Sequence, residues 1–100
     1  MPYQLTYFKE AKNDINQAKI WYHSQQKGLE KRFAEDIRKA IVRLKTNPHV
    51  HAIRYKKNRL AHPDVFPYSI HFYIDELQKR IVIIGIVHNS RNFDFLKQRK

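Results

Sequence analysis

The stretch from Phe66 to His88 limits the fold more than any other part of the chain. From Phe66 to Asp75 the residues alternate strictly. Phe66, Tyr68, Ile70, Phe72 and Ile74 face one way, and Pro67, Ser69, His71, Tyr73 and Asp75 the other. Aromatic and β-branched residues at period two predict a half-buried strand. A polar turn at Glu76 to Lys79 follows, and then the run Ile81-Val82-Ile83-Ile84-Gly85-Ile86-Val87, apolar on both faces. Such a strand belongs inside a sheet with both faces covered, not at its edge. The short connection joins the two as an antiparallel hairpin, and the rest of the chain has to supply the cover.

Tyr3 to Phe8 alternates with β-prone residues and reads as a first strand. From Lys9 to Gln26 the period changes: Ala11, Ile15, Ala18 and Tyr22 fall on one helical face, with Trp21 alongside. No Ser or Thr marks the start, and Asn13 or Asp14 is the candidate cap of a shorter helix. Gly28 is the expected stop, since the left-handed conformation is cheap only for glycine. A second helix carries the stripe Leu29, Phe33, Ile37, Ala40, Ile41 and Leu44, with Glu35 and Lys39 as an outer i,i+4 pair, and ends at Asn47-Pro48. The short link through Gly28 predicts a helical hairpin whose apolar stripes cover the sheet.

The basic segment after Pro48 leads through Ile53-Arg54-Tyr55 and Arg59-Leu60, where one short strand is expected, with Pro63-Asp64 as a turn. After Val87 the tail places Phe93, Phe95 and Leu96 among charges, as a last helical turn against the sheet edge. The expected class is α+β, in the order βααβββ, with a helical hairpin on a small, largely antiparallel sheet and a short C-terminal tail. One hundred residues suit one domain spanning 1–100.

The chain has no cysteine, which excludes a disulfide framework or a thiolate metal site and fits a reducing compartment. Met1-Pro2-Tyr3-Gln4-Leu5 shows no basic segment followed by an apolar one, so no secretory leader is expected. The longest apolar run is too short to span a bilayer, and the cytoplasm is the expected location, with no membrane partner. Charge is the strongest compositional signal, at +11 with a pI near 10.1. Between Ile37 and Pro63 there are eight Lys and Arg and no acid. A field of that sign attracts a polyanion or an acidic protein, and charge alone does not say which.

Chemistry has few footholds. Gly28 and Gly85 are far apart, so no phosphate-cradling loop exists. His49-x-His51 lacks a third ligand at metal spacing, and no metal or cofactor is expected. Ser69 and Ser90 have no orienting histidine–carboxylate pair, and His71 alone reads as a surface or packing residue. What remains is cations interleaved with rings: Tyr55, Lys56, Lys57 and Arg59 before the hairpin, and His88, Arg91, Phe93 and Phe95 after it. Such sets hold phosphates and stack bases.

Taken in order, several strings resemble the ParE/RelE superfamily of bacterial type II toxin–antitoxin toxins. They are Ala11-Lys-Asn-Asp14-Ile15, Trp21-Tyr22 with Gly28-Leu29, Phe33 to Asn47-Pro48 as F-x-x-D-I-x-x-A-I-x-x-L-x-x-N-P, Phe66 to Phe72 as F-P-Y-x-I-x-F, and the close around His88 and Arg91. The resemblance covers essentially the whole chain. It implies one of two activities: a RelE-like, metal-independent endonuclease acting on ribosome-bound mRNA, or a ParE-like poison of DNA gyrase. For a nuclease it implies Lys57, Arg59, His88 and Arg91 as the catalytic set. Ser69 stands where the RelE kind has arginine after tyrosine, and Phe93 and Phe95 lack the hydroxyl of its late tyrosine. Those losses remove a transition-state stabiliser and a proton-transfer group, so the resemblance favours the ParE-like branch, with His88 as the substitute base in the alternative. Target or antitoxin contact is expected at Tyr55, Lys57, Arg59, His88, Arg91 and Phe95. The implied partners are a cognate antitoxin, in a hetero-oligomer, and gyrase, or the ribosome and mRNA. A basic binding domain without toxicity is the remaining expectation.

Overall fold

The computed structural model describes residues 3–99. It runs β1 (Gln4–Tyr7), α1 (Lys9–Gln25), α2 (Leu29–Thr46), β2 (Ile53–Tyr55), β3 (Asn58–Ala61), β4 (Tyr68–Asp75) and β5 (Arg80–His88), with 3₁₀ turns at Pro48–Val50 and Asp94–Gln98. Met1, Pro2 and Lys100, the ends of the expected domain and of the N-terminal segment read for a leader, lie outside the described residues. The α+β class is as expected. One five-stranded sheet has the order β1-β5-β4-β3-β2. All neighbours are antiparallel except β1, which runs parallel to β5 with Leu5 opposite Ile81.

The doubly apolar strand is interior and buried from Ile81 to Val87. The helical hairpin covers one face of the sheet, where Phe33, Ile37 and Leu44 of α2 and Ala11 and Tyr22 of α1 meet Ile70, Phe72, Ile81 and Ile83. Tyr22, Phe33, Phe66 and Tyr68 form an aromatic cluster there, with Tyr22–Phe66 centroids at 4.9 Å and Phe33–Tyr68 at 5.0 Å. Each fully buried large side chain of this kind contributes about 1.5–3 kcal/mol. Gly28 links the helices at φ 95°, the left-handed region.

Five details depart from the sequence reading. The expected single strand before Pro63 is a hairpin, β2 and β3, turned at Lys56-Lys57 with Lys56 at φ 49°. Lysine is no turn signature, so the pattern hid it. Phe66 lies outside β4, because the Asp36 carboxylate accepts the Asp64, Val65 and Phe66 N–H groups at 3.1, 3.0 and 2.7 Å. Neither Asn13 nor Asp14 caps α1, whose N-cap is Phe8 with no side-chain bond. Glu35 bonds Arg38 at 2.8 Å instead of pairing with Lys39, since i,i+3 is equally within reach. The tail covers the second sheet face as well as reaching an edge: Leu96 and His71 are only 2% and 1% exposed, and Arg99 bonds the Ile84 carbonyl of β5 at 2.9 Å.

Candidate functional site

β5 outruns β1. The parallel ladder stops at Ile83, whose carbonyl takes the Phe8 N–H at 2.9 Å. Beyond it the β5 backbone would present an open edge. Two side chains close that edge. Asp14 Oδ2 accepts the Ile86 N–H at 3.0 Å, and Arg99 Nη1 donates to the Ile84 carbonyl at 2.9 Å. Gly85 lies between them, and a Cβ there would stand 2.7 Å from Leu96 Cδ2.

Beside this plug, α1 and the segment after β5 enclose a cleft of about 450 Å³. Trp21, His88, Arg91 and Phe95 are among its lining residues. The Arg91 guanidinium stacks on the Phe95 ring, 4.0 Å from its centroid. Ser90 N–H donates to His88 Nδ1 at 3.1 Å, so the neutral imidazole carries its proton on Nε2. Trp21, grouped with the apolar face in sequence, is 56% exposed here.

On the second face of the sheet, Tyr55, His71 and Phe93 pack ring to ring: Tyr55–Phe93 at 4.9 Å and His71–Phe93 at 5.0 Å. The Tyr55 hydroxyl lies 3.0 Å from His71 Nδ1. Burial lowers the His71 pKa to about 4, with the charges of His62 and Arg99 adding to it, and burial raises that of Tyr55. Both groups therefore hold their neutral forms near pH 7, far from the poise of a general acid or base. Lys57 sits over the Tyr73 ring at 4.0 Å on the same face.

Arg59 lies apart. Opposite Phe72 in the ladder, it shares the helix-side face, where its Nη1 donates to the His51 carbonyl at 2.7 Å. The fold thus groups His88, Arg91 and Phe95 in the α1 cleft, and sets Tyr55 and Lys57 across the second face. It keeps Arg59 with neither group. His49 bonds Glu76 at 2.8 Å, and among the described residues no group of three or more His, Cys, Asp or Glu is arranged to hold a metal ion. The sequence reading gave Asp14 only as a candidate cap and Trp21 only as a neighbour of the apolar face, and it did not single out Arg99. A usable signal existed for Asp14: it stands three residues after Ala11 and four before Ala18, so it lies beside their buried face and needs a partner.

Residues 5–93 match the family model described as the ParE toxin of the type II toxin–antitoxin system parDE. Among solved structures, the chain is similar to one from the chromosomal ParDE toxin–antitoxin system of P. aeruginosa. There the TM-score is 0.74 at 19% identity, covering 86% of this chain and 95% of that one. It is also similar to one from the toxin–antitoxin complex RelBE2 of Mycobacterium tuberculosis, with TM-score 0.63 and 18% identity over 88% of this chain and 99% of that one. At such identities the likeness is one of fold. No curated protein matches in sequence.

Proposed function

The chain belongs to the ParE toxin family of type II toxin–antitoxin systems, and we propose that it arrests growth by binding DNA gyrase and trapping it on cleaved DNA. It acts in this reading as a binding protein and not as a nuclease. The dispersal of the cationic set carries the choice. Phosphodiester cleavage needs its cations and its proton-transfer groups around one phosphate. Arg59 is bonded to His51 on the helix side, while Arg91 stacks on Phe95 beside α1. Lys57 is engaged with Tyr73 on the opposite face from Arg59. Of the four residues a RelE-like mechanism would use, only His88 and Arg91 share a cleft.

The natural antagonist is an antitoxin carried on an acidic segment, because a charge of +11 favours a complementary partner and speeds its encounter. The toxin–antitoxin complexes of similar fold support that partner. Purified protein added to a gyrase supercoiling assay is expected to inhibit supercoiling and to accumulate cleaved DNA. Full supercoiling with no cleaved DNA sinks this reading.

The nuclease reading keeps one observation in its favour, the meeting of His88 and Arg91. A translating extract separates the two: the gyrase reading expects intact mRNA at concentrations that arrest growth, and cleaved message would transfer the function to the ribosome. Overexpression without growth arrest would leave only a basic binding domain.

A further inference from the structure

Trp21 is the only tryptophan of the chain, and α1 holds it half out of the protein. Its ring meets Tyr22 edge-on at 5.1 Å, which fixes the orientation in which it is presented. Asn13 and Gln17 precede it at four-residue spacing and line the same cleft. Each amide offers a donor and an acceptor at once, the complement of a base edge. Across the cleft, Arg91 lies over Phe95, and none of the ion pairs among the described residues uses it. His88, with Nδ1 taken by Ser90, has its Nε2–H left to donate. Of the two acids in the lining, Glu10 and Asp14, Asp14 is already neutralised by Arg99, and Glu10 lies in the first turn of α1.

We propose that this cleft binds a single-stranded nucleic acid, with one unstacked base against Trp21 and the adjoining phosphate at Arg91 and His88. A platform ring with a cation beside it is how sequence-tolerant single-strand binders work. A duplex keeps its bases stacked and offers no ring to Trp21. The volume of about 450 Å³ lies within the range of small-ligand pockets and suits one nucleotide. The site rests on the gyrase reading only for its source of strand, since cleaved DNA exposes unpaired ends beside a bound toxin.

Trp21 reports on the site directly, because no other tryptophan contributes emission. Full-length protein is titrated with a short thymidine deoxy-oligomer, its uridine ribo-oligomer and an abasic deoxy-oligomer of equal length. Saturable quenching by the base-bearing oligomers, with little from the abasic one, is the expected result. By anisotropy of a labelled oligomer, Trp21→Ala should weaken binding about tenfold or more. Arg91→Gln should weaken it and lower the salt slope by about one. Circular dichroism confirms that both variants fold, and Trp21→Phe keeps a platform if Trp21→Ala does not fold. Equal quenching by the abasic oligomer, full affinity in folded Trp21→Ala, or no binding at all overturns the site. Quenching by the ribo-oligomer alone would keep the site but remove cleaved DNA as its source of strand. The gyrase reading itself is decided by the supercoiling assay, so the two fail separately.

Discussion

Asp14 of α1 and Arg99 near the C-terminus meet in a two-point ion pair, 2.7 and 3.0 Å, across 85 positions of sequence. Together they present to β5 an acceptor for Ile86 N–H and a donor for the Ile84 carbonyl. A neighbouring strand would present the same pair of groups. The carboxylate and guanidinium therefore substitute for a strand where β1 has ended. They also fasten the tail over the second face of the sheet.

Arg99→Ala removes the donor to Ile84 and leaves Asp14, only 16% exposed, without its counter-charge. The expected loss is about 2–3 kcal/mol, read as a lower urea midpoint at unchanged slope. Faster hydrogen exchange at the Ile86 amide should accompany it. An unchanged midpoint would show the pair to be idle.

Gly85→Ala should act on the same fastening from below. Its Cβ would lie 2.7 Å from Leu96 Cδ2 and 2.9 Å from Arg99 Nη1, so the ends of those two side chains have to shift from their seats. Overpacking of this kind costs about 1–3 kcal/mol. Limited proteolysis in the 89–99 segment should become faster; equal cleavage rates would mean that the tail yields freely.

Asp36→Ala strips three N–H groups of their acceptor in the loop that delivers Phe66 to the core. A destabilisation of about 2–4 kcal/mol is expected, with Asp36→Asn intermediate because its amide keeps one acceptor oxygen. Denaturation curves order the three proteins, and parity of Ala with Asn would count against the carboxylate's role.

His71 gives the fold an acid limb. Its pKa is lowered on folding from 6.5 to about 4, so the unfolded chain binds the extra proton between those values. Stability is complete above pH 6.5 and falls as the pH drops toward 4, by about 3 kcal/mol. Burial of His51, whose pKa also falls, adds in the same direction. His71→Gln keeps an acceptor for the Tyr55 hydroxyl and should flatten this limb, whatever its effect at pH 7. A pH profile parallel to that of the parent protein would refute the assignment.

Much of the architecture was legible because its signals are local and periodic. The alternation at Tyr68–Ile74, the doubly apolar run at Ile81–Val87 and the stripe from Phe33 to Leu44 each state which face they bury. The Lys56-Lys57 turn was illegible for the opposite reason, since left-handed lysine has no local signature. His71 misleads by pattern: it occupies the outward phase of its strand, and the cover that buries it comes from Phe93, 22 positions later.

What the sequence determined by itself is the set of elements, their buried faces and the strongly cationic character of the whole, because each follows from residues close together in the chain. Only the tertiary structure decided that Arg59 and Arg91 part company, that Asp14 finds Arg99, and that Trp21 faces outward over a cleft. Those outcomes depend on strand register and on which side of the sheet the tail crosses. Both are set by packing between distant segments, and no periodicity within one segment encodes them.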